Sequence, residues 1–405
     1  MTTKEPVKSI NYFKQFDGAR GLLAFSIFIL HLHFTYFKVP STLANFTLHS
    51  FFVASAFLIT KILLKDKQKT TSFGFFFKQF YIKRILRIFP VYFGYIFGFM
   101  LFAFVFKLFF HHDFYGVLTE IKRYGLLLFT FTYNFRDLIS IFVVDDTQNT
   151  SNMFPHLWSI SMEEQFYIVI PFLVFFLSEK SLKRLSFTMI LAFPIIRILG
   201  YFYLHTQTDN YFLIGFAMIR NSFFQFDAFF YGILIALYPK LELKKIRYLF
   251  YITLLALIVQ EIINLYFIQQ RFDIPFYEMI SRYDIYARCG AAMYIDILLN
   301  VGCFAFLYLV FNTTNEFPLL LNKHLVEYGK FSFGSYVYQY IFIFLTYFLV
   351  YEFLKTRIPL FLNELICLII CLTSIIQFSK LSYYKYELYF INMKDKLIAK
   401  LKKDS

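Results

Sequence analysis

Only four cysteines occur in the 405 residues, Cys289, Cys303, Cys367 and Cys371, and none of their spacings is that of a zinc centre. Cys367 and Cys371 stand one helical turn apart inside an apolar stretch and read as packing residues; no metal is expected. Glycine and proline are scarce, 14 and 10, and nowhere gather into a linker, so there is no sign of a second globular domain. No internal repeat is visible, which sets aside the repeat symmetry common among transporters. The first fifteen residues are polar and lysine-bearing and lack a cleavable signal pattern, so the first apolar stretch is expected to act as its own insertion signal.

What fills the chain is apolar. It is 59% hydrophobic, holds 61 Phe and 32 Tyr, and has a mean hydropathy of +0.58. That excess over the needs of a soluble core marks an integral membrane protein. Runs long enough to span predict an all-α polytopic protein of ten helices, near 16–36, 43–64, 85–110, 157–177, 185–204, 222–238, 248–269, 291–311, 332–353 and 361–378. The net charge of +14 is distributed with a bias. Alternate loops hold 27 Lys and Arg and the opposite loops hold 11, which predicts both termini in the cytoplasm, a multi-pass protein of the inner membrane, and no role for nucleic acid. The short apolar segment 124–135 is followed by Arg136 and Asp137 and would invert the later loops if it crossed, so it reads as interfacial or re-entrant. The stretch 379–405 alternates aromatics with lysines and reads as a basic cytoplasmic tail lying on the anionic leaflet.

Ionisable groups inside spans cost a few kcal/mol each and face a cavity or a partner. "FDGARGLLAFSIFILHLHF", residues 16–34, carries four. Arg20 and His31, eleven residues apart, share one helical face about 16 Å apart along the axis. Asp17 precedes Arg20 by one turn and can pair with it. His33 points about 200° from His31, so the Arg20 stripe selects His31. Two accounts fit this stripe equally: a functional cavity, or an interfacial ion pair with a packing histidine. "HLWSISMEEQFYIVIP", residues 156–171, holds the single tryptophan, Trp158, and adjacent carboxylates Glu163 and Glu164 about 100° apart. A carboxylate near a histidine suits general-base chemistry, while an interface anchor and a helix-end charge pair explain the same residues. In "YIKRILRIFPVY", residues 81–92, Arg84 and Arg87 lie one turn apart beside Lys83, a spacing that suits a phosphate and also ordinary positive-inside topology.

Together these stretches resemble the acyltransferase-3 membrane proteins, which include bacterial O-antigen and peptidoglycan O-acetyltransferases. "FDGARG" with His31 resembles that family's opening "LDGLRG" helix; "RILRIFP" its R-x-x-R-I-x-P element; "WSISMEEQFY" its W-S-x-S-x-E-E-Q-F-Y motif; and "FDAFFYG" its D-x-x-x-x-G helix at Asp227 to Gly232. The sequence departs from the family at His49, in a usual aspartate slot, at Ala56, in a glycine slot, and at Gln339, where histidine is common. The resemblance implies an acyltransferase-3-like transmembrane domain over 1–378 that moves an acyl group, acetyl in the first instance, from cytoplasmic acyl-CoA to a hydroxyl of a glycan or lipid-linked saccharide. Acyl-CoA would be a donor substrate; no tightly bound cofactor is implied. It implies donor binding by Arg20, Lys83, Arg84 and Arg87. It further implies catalysis by His31, as base or nucleophile, oriented by Glu163 or Glu164, with Trp158 and Ser161 on the acceptor side. A polytopic glycan or lipid transporter without acyl-transfer chemistry is the competing class, and an inactive relative serving as receptor or scaffold is a third.

Overall fold

The computed structural model describes residues 14–32, 34–111, 113–143, 153–272 and 285–403, and His33 lies outside them. No strand occurs among the described residues. The main helices are α1 (Lys14–Leu32), α2 (Ser41–Lys67), α3 (Phe73–Phe110), α4 (Val117–Phe129), α5 (Arg136–Phe142), α6 (Leu157–Phe176), α7 (Glu179–Gln207) and α8 (Tyr211–Arg220). They are followed by α9 (Asp227–Leu237), α10 (Leu243–Phe272), α11 (Ile295–Asn312), α12 (Lys323–Lys330), α13 (Ser332–Thr346), α14 (Leu360–Ser382) and α15 (Leu388–Lys403). The protein is an all-α polytopic membrane protein: among the described residues, eight helices are long and apolar enough to cross a bilayer.

Two of the ten expected spans fall outside that eight. α1 carries Asp17, Arg20 and His31 among its 19 residues, which lowers its hydropathy although its length of roughly 29 Å matches a hydrocarbon layer. The segment 222–238 holds only the 11-residue α9 after a short turn, and α9 is buried against α2 and α7. Two boundaries also differ from the sequence reading. The third span begins at Phe73, twelve residues early, because Ser72 caps it by accepting from Phe75 N at 3.3 Å. The last helix runs on through a π-turn at Tyr383–Glu387 into α15, which packs along α3, with Tyr386 Oη donating to Pro90 O at 3.2 Å. The segment 124–135 forms no long helix: α4 ends at Phe129, and the chain reverses at Phe131, whose φ of 54° is left-handed.

Burial sorts the helices into a core and a rim. α2, α9 and α11 are wrapped, whereas α3, α7 and α10 turn rows such as Phe97, Leu101, Phe104, Leu108 or Leu191, Ile195, Leu199 and Phe202 outward, the faces that meet lipid. The polar α1 is held by backbone contact with α12 and with the turn Pro318–Leu321 just before it. A Cβ on Gly18 would enter the carbonyl of Leu320, and one on Gly329 would enter the carbonyl of Asp17, so the DGARG stretch needs its glycines for approach. Ala56 is tolerated in its departing slot for a related reason: Gly232 of α9 faces it and Val53 without a side chain of its own.

A buried ionic knot ties α2, α7, α9 and α11. Arg197, with no exposed surface, donates to both carboxylate oxygens of Asp227 at 2.9 and 2.8 Å and to Phe224 O at 2.7 Å, and its Nε lies 3.7 Å from Asp296. Gln225 Nε2 donates to Asp296 at 2.8 Å. His49, the second departure, joins the same knot, 3.5 Å from Asp296 through Nε2 and 2.6 Å from Asn300 Oδ1 through Nδ1. Removing one member of such a knot strands the rest; Arg197→Met is expected to cost about 3–5 kcal/mol, read as loss of monodisperse protein in detergent and a lowered thermal midpoint. Retention of the wild-type midpoint would show that the knot is not structural.

Candidate active site

The charged stripe of α1 borders two cavities stacked along the helix. The first, about 240 Å³, is lined by Arg20 of α1, Arg84 and Arg87 of α3, Glu163, Ser159 and Tyr167 of α6, and Ser332 of α13. The second, about 710 Å³, is lined by His31, by Trp158, by Tyr336 and Tyr340 of α13, and by Arg136, Asp137 and Arg220. Ile27, Leu48 and Tyr336 line both, so these three side chains stand between the arginine chamber and the histidine chamber.

In the arginine chamber, Arg20 pairs with Asp17 at 3.4 Å and donates to Ser332 Oγ at 3.2 Å. Arg84 lies over the rings of Phe80 and Tyr167, 5.8 and 5.6 Å from their centroids, and its buried Nε has no hydrogen-bond acceptor among the described residues. Among the described residues neither Arg84 nor Arg87 makes a close ion pair, and Glu163 faces them across the same chamber. Glu163 accepts from Tyr167 Oη at 2.8 Å, and Tyr167 Oη lies 2.6 Å from Ser55 Oγ. Three guanidinium groups around two carboxylates leave this chamber cationic, a setting for a phosphate-bearing anion.

The histidine chamber is aromatic and mixed in charge. His31 sits 5.1 Å from the Tyr340 ring, which stacks on His156 at 4.7 Å. His156 Nε2 donates to Val337 O at 2.9 Å. Trp158 packs edge-on against Phe52 at 6.2 Å. Across the chamber, Arg136 pairs with Glu120 at 3.1 Å and Arg220 with Asp137 at 3.0 Å, so both cations there are already neutralised. Glu364 of α14 holds this end together by accepting from the backbone N–H of Thr35 and of Tyr36, each at 2.8 Å.

The sequence-derived residues therefore divide. Arg20, Arg84, Arg87 and Glu163 come together in one chamber, and His31 and Trp158 in the other. Lys83 lines neither chamber; it pairs with Asp66 at 3.0 Å. Glu164 is buried beside Tyr81 and Tyr92 of α3 and lines neither chamber. Ser161 is wholly buried and donates to Leu157 O at 3.2 Å, while its neighbour Ser159 takes the cavity wall. Sequence reasoning missed Ser159, Tyr336, Tyr340, Arg136, Asp137 and Arg220. Ser159 was within reach of helical phase, since it follows Trp158 and precedes Glu163 by one turn. The rest come from segments without a charge pattern of their own or from the region read as interfacial.

A profile described as an acyltransferase domain, that of the acyltransferase-3 family, matches residues 13–378, and the chain belongs to that family. Among curated proteins it is similar to the peptidoglycan O-acetyltransferase OatA of Listeria monocytogenes, 29% identical over 170 residues, 42% of this chain and 25% of that protein. It is 26% identical over 181 residues to the O-acetyltransferase OatA of Staphylococcus aureus, 44% of this chain and 28% of that one. An uncharacterized protein of Haemophilus influenzae is 31% identical over 150 residues, covering 37% of this chain and 56% of its own length. The matches thus span about a quarter of the length of the named O-acetyltransferases. No solved structure matches.

Trp158 is the sole tryptophan and faces a cavity, so its fluorescence reports on the site. Acrylamide is expected to quench it and brominated lipid chains are not, with Trp158→Phe as the blank; the reverse pattern would make Trp158 a lipid-facing interface anchor.

Proposed function

We propose that this protein is a membrane-embedded O-acyltransferase that takes an acyl group, acetyl in the first instance, from cytoplasmic acyl-CoA and places it on a hydroxyl of a cell-envelope glycan or lipid-linked saccharide. One observation carries the reading: a cationic chamber and a histidine-bearing aromatic chamber lie next to each other inside the bundle, sharing three wall residues. The first suits the phosphates of coenzyme A, and the second suits a sugar, whose apolar faces stack on rings such as Trp158 and Tyr340. The basic residues support the orientation. Lys67 donates to the carbonyls closing α6, and Arg247 pairs with Glu316 at 2.6 Å in the loop after α11. The Arg247 pair lies at the end of the bundle where α1 begins, since Gln15 donates to Val310 O and accepts from Phe317 N. That is the end the positive-inside rule assigns to the cytoplasm.

In the reaction, the acceptor hydroxyl oxygen forms a bond to the thioester carbonyl carbon as the carbon–sulfur bond breaks. His31 takes the hydroxyl proton, and the departing thiolate is protonated to free coenzyme A. The base role is favoured over the nucleophile role because His31 and the aromatic wall share one chamber, so base and hydroxyl meet without a covalent relay. Glu163 acts from the arginine side, where it balances Arg20, Arg84 and Arg87 and fixes Tyr167. It is a positioning residue for the donor site.

Two outcomes test this. Membranes carrying the wild type are expected to move radiolabelled acetyl from acetyl-CoA into envelope glycan, and His31→Ala at matched expression is expected to lose about 10²–10⁴-fold while still binding coenzyme A. Absence of transfer by wild type with native acceptor present would turn the reading toward another donor or toward transport. A labelled protein formed without acceptor would make His31 the nucleophile. Separately, Arg84→Ala is expected to raise the Kd for coenzyme A by roughly ten- to a hundredfold, while Lys83→Ala, already committed to Asp66, changes it less than about twofold, measured by calorimetry in detergent. Equal losses would return Lys83 to the donor site.

A further inference from the structure

Ile27 of α1, Leu48 of α2 and Tyr336 of α13 are shared by the walls of both chambers. Ile27 lies one turn before His31 and about two turns after Arg20, on the same stripe, so this ring of side chains stands between the guanidinium groups and the imidazole. Tyr336 is fixed in place. Its hydroxyl donates to His156 O at 2.7 Å and lies 2.7 Å from Ser159 Oγ, and its ring meets that of His156 edge-on at 5.4 Å. Ile27 is buried. A polar anchor at one side and packed aliphatic groups at the other make an aperture of set width rather than a loose flap.

Building on the acyl-CoA reading above, we infer that Ile27, Leu48 and Tyr336 form a gauge that selects the acyl group by cross-section. A donor whose phosphates rest on Arg84 and Arg87 must pass its arm and its acyl end through this ring to reach His31. The carbon branch of the arm is the dimethyl-bearing unit next to the phosphates, which stays on the arginine side; the stretch that follows carries no carbon branch, so a ring wide enough for it admits an unbranched acyl group. A group branched next to the carbonyl is wider and meets the Tyr336 ring. Selection therefore acts on branching and not on carbon number, and it is set by residues that stand between the guanidinium groups and His31.

The decisive comparison uses butyryl-CoA and isobutyryl-CoA, which have the same atoms and differ only in branching. The full-length protein in native membranes is assayed for transfer of each acyl group and of acetyl, for wild type, Leu48→Ala and Tyr336→Ala. Wild type is expected to favour butyryl over isobutyryl by at least about tenfold, the scale on which a pocket rejects a misplaced methyl group. Each variant is expected to bring the ratio to within about twofold of unity. The ratio is independent of how much protein folds, and Leu48→Ala, which only shortens an aliphatic side chain, serves if Tyr336→Ala is lost to misfolding. Variants that transfer acetyl with the wild-type ratio, or a wild type indifferent to branching, would overturn the gauge and leave the acyltransferase reading standing. A wild type that transfers no acyl group at all would remove both.

Discussion

A medium that cannot solvate charge governs this structure, because every ionised side chain within it must find a counter-charge or line a cavity. Most find a counter-charge. Arg197 is held by Asp227 and Asp296, Arg136 by Glu120, Arg220 by Asp137 and Lys83 by Asp66. Arg84 and Arg87 are the contrast, set on a cavity wall with no close ion pair among the described residues, Glu163 acting on them only at longer range. Glu163 offsets part of their charge, and the rest is left to whatever enters the chamber. This distinction between satisfied and waiting cations separates scaffold from site more clearly than burial does, since Arg197 is the more deeply buried of the two classes.

The scaffold exists to hold one polar helix in an apolar bundle. α1 gains little from lipid, so it is clasped by backbone contact with α12, by Gln15 at its start and by Glu364 at the loop beyond its end. Those clasps set the height of Arg20 and His31, and the lipid-facing rows of α3, α7 and α10 enclose them. The resulting stack of chambers follows from the 3.6-residue period acting on a stripe with charge at both ends and Ile27 between them.

Much of this was legible in the residues themselves. Long apolar runs located the spanning helices, and the eleven-residue interval placed Arg20 and His31 on one face. Boundaries failed where polar helix continued past the apolar stretch, as in the first turns of α3 and in α15, since hydropathy reports lipid contact and not helicity. Within the site, the phase of a single helix could group Arg84 with Arg87 but could not say that Lys83 would meet Asp66 from α2, or that Ser159 rather than Ser161 would take the cavity wall. Tyr336, Arg136 and Arg220 reach the chamber from segments far apart in sequence, and nothing local to any of them signals that meeting. The departing His49 and Ala56 became intelligible only beside Asp296 and Gly232, residues with which they make contact across the bundle.

Two polar cavities placed in line through a bilayer present a hazard of their own. Were they continuous with water, protons and small ions would run down the membrane potential whenever the site stood empty. Two aliphatic side chains and the face of a tyrosine are the type of constriction that water vacates, and a dewetted gap bars ions far better than its width alone would suggest. In the proposed acyltransferase the residues between the chambers therefore have a second task, insulating an anion-binding cavity from a sugar-binding one within an otherwise apolar bundle.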